Sequence, residues 1–193
     1  MVCAVLTVSA LNLLWAGRAE ATPPVLEVSE ATTQASLLET MDVSQAIPIG
    51  ADFDTVRSGA FDARFAPAGG AVPNLNGEEG PVWLRATLRN VDSQPIATQV
   101  VLKYPQPQRI TFYIEQSDSS FAVIERGSAI AIGDEIGARF PHARVMIPAG
   151  SDRQVYARLQ SNGPILAPFQ VFSAAHFDQT MARDNLLFGL LAG

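Results

Sequence analysis

Three short stretches of this chain set an aromatic ring beside an arginine on one side of an extended backbone. In Val82 to Arg89 the alternate residues Val82, Leu84, Ala86 and Leu88 form an apolar row, which turns Trp83, Arg85, Thr87 and Arg89 to the opposite side. In Arg109 to Ile114 the apolar row is Ile110, Phe112 and Ile114, leaving Arg109, Thr111 and Tyr113 opposite it. Gln154 to Gln160 splits in the same way, with Tyr156, Arg158 and Gln160 facing away from Val155, Ala157 and Leu159. Rings with planar hydrogen-bonding groups beside them can stack on a sugar or another flat ligand and bond its edges. The same residues serve equally well as a second small core, each ring covered by a loop or by the N-terminal segment and each arginine lying over a neighbouring ring. Both readings stand, because spacing along the chain does not say whether the three strands are neighbours.

Signals for catalysis are sparse. The two histidines, His142 and His176, lie 34 positions apart without a partnering motif and read as turn or packing residues. No G-x-S-x-G, H-E-x-x-H, P-loop or dinucleotide fingerprint occurs. Asp52 and Asp54, Asp118, and the pair Asp134 and Glu135 do not follow the spacing of a calcium loop. Nothing nominates two carboxylates for glycoside hydrolysis. The expectation is a non-enzyme with no catalytic residue, no metal and no cofactor.

The elements that would position these side chains are short alternating segments separated by Pro, Gly, Asn and Asp. The strongest are Val82 to Arg89, Gln99 to Tyr104, Arg109 to Ile114, Phe121 to Ile124, Arg144 to Ile147, Gln154 to Gln160 and Phe169 to Phe172. Turns fall at 90–95, 116–120, 148–152 and 161–164, each supplied with residues that accept or fix the turn geometry. This spacing predicts an all-β protein, an antiparallel sandwich or barrel. Further strands are expected at Asp52 to Val56 and Ala60 to Phe65, followed by a loop from Ala66 to Gly80. Helix is expected at Thr33 to Met41, an amphipathic stretch, and at His176 to Leu191.

Both ends are apolar. Val2 to Trp15 is followed by Gly17, Arg18 and Ala19-Glu20-Ala21, a small-x-small pattern that reads as a signal peptide over residues 1–21. The single cysteine, Cys3, would leave with it, so residues 22–178 are expected to hold together by core packing alone. The run Asn185 to Gly193 has no charge, but as helix it rises only about 13 Å against a hydrocarbon core of about 30 Å. Residues 179–193 therefore read as the truncated start of a transmembrane helix. The leader carries one Arg and one Glu, so the net charge of −6 also describes the remainder, and a basic nucleic-acid footprint is absent. About 170 residues is one domain's worth of chain.

Taken in order, Trp83-Leu-Arg-Ala-Thr-Leu-Arg-Asn90, Leu102-Lys-Tyr-Pro105, Arg109-Ile-Thr-Phe-Tyr113, Arg139-Phe-Pro-His142, Tyr156-Ala-Arg-Leu-Gln-Ser161 and the closing Leu/Phe/Gly run resemble the type 2 extracellular domain of the seven-transmembrane receptors with diverse intracellular signalling modules. The resemblance spans about Val25 to Asp178 plus the helix start. It implies a jelly-roll-like β-sandwich, similar to carbohydrate-binding modules, on the periplasmic face of the bacterial inner membrane. There it would sense a glycan or other small molecule and pass the signal to its own transmembrane domain, alone or with a homodimer mate. The residues expected to meet a ligand are Trp83, Arg85, Arg109, Tyr113, Arg139, Tyr156 and Arg158. The competing expectation is a non-catalytic protein-interaction or dimerisation module at the cell envelope.

Overall fold

The computed structural model describes residues 25–76, 80–104, 107–129 and 140–192. The signal-peptide reading at 1–21 and Arg139 lie outside the described residues. In chain order the elements are β1 (Val25–Val28), β2 (Gln34–Ser36), β3 (Met41–Ser44), α1 (Phe53–Arg57), a 3-10 turn (Asp62–Arg64), β4 (Ala66–Pro67), β5 (Asn74–Asn76), β6 (Val82–Asn90), β7 (Ile96–Leu102), β8 (Arg109–Glu115), β9 (Phe121–Arg126), β10 (His142–Ile147), β11 (Asp152–Gln160), β12 (Pro164–Leu166), β13 (Phe169–Ser173) and α2 (Ala174–Ala192).

Two sheets carry the fold. The first runs β4-β3-β6-β11-β8-β9, with β1 joining β6 in parallel, and the second runs β10-β7-β13-β2. Connections from β6 to β7, β7 to β8, β9 to β10 and β10 to β11 all cross between the sheets, as jelly-roll-like sandwiches require. The alternation read from the sequence is what closes them on each other. Val82, Leu84 and Leu88 of β6, Ile110, Phe112 and Ile114 of β8, and Val155, Ala157 and Leu159 of β11 all enter one buried cluster with Val100, Val145, Ile147 and Val171 of the second sheet. Phe112 meets Phe169 edge-on across the interior at 6.3 Å.

One polar residue ties the two layers. Asn90, wholly buried, donates from Nδ2 to the carbonyls of Gln94 (2.7 Å), Ile147 (3.1 Å) and Pro148 (3.2 Å) and accepts from the amide of Asp92 (2.9 Å). It thereby fixes the turn from β6 to β7 against the end of β10, with both its nitrogen and its oxygen partnered where an unpaired amide would be costly.

Three expected elements differ. Asp52 to Val56 is not a strand: Asp52 accepts the amide of Thr55 at 2.7 Å, Asp54 and Arg57 sit in the first and last turns, and the local signals of a helix start win, giving α1. Ala60 to Phe65 is likewise no strand but holds the 3-10 turn. Thr33 to Met41 is no helix. Leu37 and Met41 are both buried, four residues apart, because the chain turns between β2 and β3 and returns them to the same core. The expected loop at 66–80 also carries the short strands β4 and β5, and the second helix extends from Ala174. Among the described residues no helix is long and apolar enough to cross a membrane.

Candidate functional site

The three strands with rings beside arginines are adjacent. β11 lies between β6 and β8, with Tyr156 opposite Arg85 on one side and Tyr113 on the other, and Arg158 opposite Trp83 and Thr111. Trp83, Arg85, Tyr113, Tyr156 and Arg158 thus form one patch on the outer face of the seven-stranded sheet. Arg109 stands apart at the end of that face, exposed, with Nη1 3.9 Å from Glu125.

A roof covers the patch. The chain from Ala46 to Phe65, carrying α1 and the 3-10 turn, lies over β6, β11 and β8, and a second small core forms beneath it from Ile47, Val56, Trp83 and Tyr156 with Phe53, Phe61, Phe65, Tyr113 and Phe121 packed around. Of the two readings open in the sequence, the covered one is realised. Trp83 is 0% exposed, and Tyr156 is 8% exposed.

Phe53 is the centre of this arrangement. Its ring stacks on Tyr113 with centroids 4.0 Å apart and planes 7° apart, and meets Phe121 at 4.9 Å and Tyr156 at 5.4 Å edge-on. Three strands therefore supply three walls of an aromatic box, and α1 supplies the ring inside it. Tyr113 is stacked with Trp83 as well, at 5.7 Å and 18°. Burial pushes the hydroxyl pKa of both Tyr113 and Tyr156 up, with Arg158 opposing the rise at Tyr113 and Arg85 opposing it at Tyr156.

The arginines hold the roof. Arg85 donates from Nε to Asp42 at 3.1 Å and from Nη1 to Asp62, and its guanidinium lies 4.3 Å from the centre of the Phe65 ring. Arg64 donates to the carbonyl of Ala46. Arg158 donates to the carbonyl of Ile49 at 3.3 Å and to Gln160 Oε1 at 3.3 Å, with its guanidinium 5.9 Å from the Trp83 ring. Two donors stay unsatisfied there: Trp83 Nε1 and Arg158 Nε are both buried and meet no acceptor among the described residues.

The site residues that sequence reasoning passed over are Phe53, Phe121, Phe65, Asp42 and Asp62. Asp52 followed by Thr55 was the signal for α1, and so for Phe53. Phe121 begins an alternating segment and shares its face with Val123, which stands opposite Tyr113. Two surface concavities lie away from this patch. One of about 270 Å³ borders Val43, Ala66 and Pro73, and one of about 500 Å³ borders Glu30, Asp92 and Gln94. Among the described residues no three His, Cys, Asp or Glu side chains are placed to hold a metal ion.

On the opposite side of the sandwich, the second sheet seats α2. Phe177 is buried against Val101 and Phe172, with Phe140 and Met181 packed beside them. His142 lies 4.6 Å from the Phe177 ring, and His176 stacks on Phe172 at 6.0 Å, so both histidines are packing residues of this joint.

A family model, 7TMR-DISM extracellular 2, matches residues 47–173, more than half of the chain. The chain belongs to this family of extracellular domains. The 7TMR-DISM extracellular 2 match begins at Ile47, the first buried anchor of the roof, and ends at Ser173, the residue before α2. No curated protein matches. Among solved structures, a Bacillus thuringiensis Cry1Da tryptic core variant aligns at 15% identity and TM-score 0.38, over 78% of this chain and 25% of that one. TmCBM61, solved in complex with β-1,4-galactotriose, aligns at 10% identity and TM-score 0.36, over 72% of this chain and 86% of its own. The chain spans only a quarter of the Cry1Da chain, and at these scores the likeness bears on neither ligand nor activity.

Proposed function

We propose that this 7TMR-DISM extracellular 2 domain is a non-catalytic ligand sensor on the periplasmic face of a bacterial inner membrane, taking a carbohydrate-like or other small ligand and passing the signal to its own transmembrane domain. The observation that carries the reading is the gathering of Trp83, Arg85, Tyr113, Tyr156 and Arg158 into one patch whose roof is a short segment and not a strand. A roof attached through a few side chains can change position without unfolding the sandwich, whereas the sheet beneath cannot. Ligand binding would favour one roof position, and the receptor's equilibrium would shift by no more than the difference in affinity between its two states. Arg139 belongs to this proposal as a further contact from the 7TMR-DISM motif, and Arg109 as an edge contact.

A thermal-shift screen of the full chain against neutral and acidic oligosaccharides, amino acids and divalent cations tests it. A ligand at 100 times its Kd adds about 2.7 kcal/mol of stability, which is several degrees for a domain of this size. A hit that is lost in Tyr113→Ala supports the reading. A stable, folded chain that responds to nothing moves the assignment to the protein-interaction module.

A further inference from the structure

We propose that the outer-face site takes a six-membered ring with an apolar face, aromatic or pyranose, that bears a carboxylate, and that Phe53 occupies the ring position until the ligand displaces it. This rests on the sensor reading above and specifies the ligand and the closed state of that same site.

The ring half of the argument is the box. Tyr113 offers a stacking face, and Phe121 and Tyr156 offer edges, to whatever ring lies between them, and the present occupant comes from a five-residue helix with a single buried residue, Val56. The rest of α1 faces water: Asp54 and Arg57 pair across one turn with side chains 80% and 46% exposed. Exchanging Phe53 for a ligand ring keeps the stacking contact and the apolar burial, so the exchange is decided by what else the ligand bonds.

The carboxylate half is the donor set. Arg158 is held by two neutral oxygens, the Ile49 carbonyl and Gln160 Oε1, and no carboxylate lies within ion-pair distance of it among the described residues. Its Nε is buried and meets no acceptor among the described residues, and the same holds for the indole N–H of Trp83 directly opposite on β6. Two buried donors facing one another's strands, one of them cationic, are best satisfied together by an acceptor-only group with two oxygens. The Arg158 guanidinium also lies 5.9 Å from the Trp83 ring, which stacks with Tyr113, so the cation adjoins the aromatic box. The Arg158 bond to Ile49 is one of the hooks on the roof, so a carboxylate that recruits Arg158 loosens the segment that carries Phe53.

The experiment uses the full chain with Trp15→Phe, which leaves Trp83 as the sole tryptophan and the site as its own reporter. Trp83 emission is titrated with benzoate and D-glucuronate, an aromatic and a sugar source of the same group, and with their neutral counterparts benzamide and D-glucose. At least one acid should bind saturably and at least ten-fold more tightly than its neutral counterpart. Phe53→Ala should tighten that acid about ten-fold, Phe53→Leu should do so by less, and Arg158→Gln should weaken it at least ten-fold, one charge-assisted hydrogen bond being worth about that factor. Far-UV circular dichroism unchanged from the parent identifies variants that fold, and Phe53→Leu serves where Phe53→Ala does not. Equal binding of acid and neutral compound overturns the carboxylate, and unchanged or weaker binding on removing the Phe53 ring overturns displacement. A neutral ligand that depends on Tyr113 leaves the sensor reading intact and overturns this inference. Silence of both acids in the parent and in both Phe53 variants overturns it as well, and silence in the thermal-shift screen too overturns the sensor.

Discussion

At the scale of single residues, the side chains proposed to meet a ligand also hold the structure together, and Arg85 shows how strongly. Its guanidinium is the partner of Asp42, whose side chain is only 8% exposed, and it also reaches Asp62 of the roof. Replacing Arg85 with Ala strands a buried carboxylate, a change that costs about 3 kcal/mol or more. Urea unfolding of Arg85→Ala should show that loss, and the double variant with Asp42→Asn should recover part of it; a loss below about 1 kcal/mol would make Arg85 a surface contact instead. The two roofed tyrosines give a second reading of the same burial. Their pKa values are raised by desolvation, so the stability they confer is complete below the ordinary tyrosine range near about 10 and is lost as pH rises through the raised folded-state values. Absorbance at 295 nm should show the phenols of Tyr113 and Tyr156 ionising late, and the melting temperature should fall over the same interval; titration of those two at the ordinary value in the native chain would contradict the packing. The residue alternation that nominated Trp83, Tyr113 and Tyr156 was legible because a strand has only two faces. What covers the second face was not, since the roof meets the sheet from some 20 to 110 positions away along the chain.

Elements were legible where burial on one face enforced a period of two, and illegible where turns and caps set the backbone. β6, β8 and β11 have apolar rows that no alternative register preserves, and their expected bounds fall within two residues of the observed ones. The segment Asp52 to Val56 has no such row, since its two apolar residues, Phe53 and Val56, stand three positions apart, and its backbone is decided by the Asp52 carboxylate on the Thr55 amide. Thr33 to Met41 shows the converse: a spacing of four that belongs to a turn between strands and not to a helical face. The cap on α1 predicts a pH effect with a definite sign. Hydrogen bonds from Thr55 hold the Asp52 carboxyl below its ordinary value, so the cap is intact above the unfolded aspartate value and is lost as pH falls through the lower folded one. The Thr55 amide resonance should titrate with that depressed value, and in Asp52→Asn, which keeps a capping oxygen but cannot ionise, the titration should vanish. Since α1 carries Phe53, the same acidification should raise acrylamide quenching of Trp83. Quenching that stays flat while the Thr55 amide titrates would show that α1 can fray without opening the roof.

At the scale of the whole molecule, the roofed patch and the helix α2 lie on opposite faces of one packed sandwich. The roofed patch lies outside the seven-stranded sheet, and α2 docks outside the four-stranded one, with the Phe112–Phe169 contact and its neighbours filling the space between. A close-packed interior does not deform continuously, so a signal crossing it needs an element with two discrete positions at one end. In the proposed mechanism the roof would be that element on the first face. On the second, the α2 joint must be firm enough to carry a displacement of the sheet into the helix, and its firmness rests on Phe177, which is 5% exposed and contacts His142 and Phe172. Truncating a central phenylalanine costs about 3 to 5 kcal/mol, and one at a helix docked on a single face costs less, about 2 kcal/mol. Because α2 packs on the sandwich chiefly through this joint, Phe177→Ala should release the helix while the sandwich stays folded. Trypsin cleavage after Arg183, which requires the helix to open, should then accelerate roughly 30-fold, the factor corresponding to 2 kcal/mol when opening is fast relative to cleavage. The melting temperature of the sandwich should move by only a few degrees, and binding at the Trp83 face should be unchanged in this chain. A global loss of stability in place of faster local cleavage would make α2 part of the cooperative core, and the helix would then report unfolding of the domain instead of a shift within it.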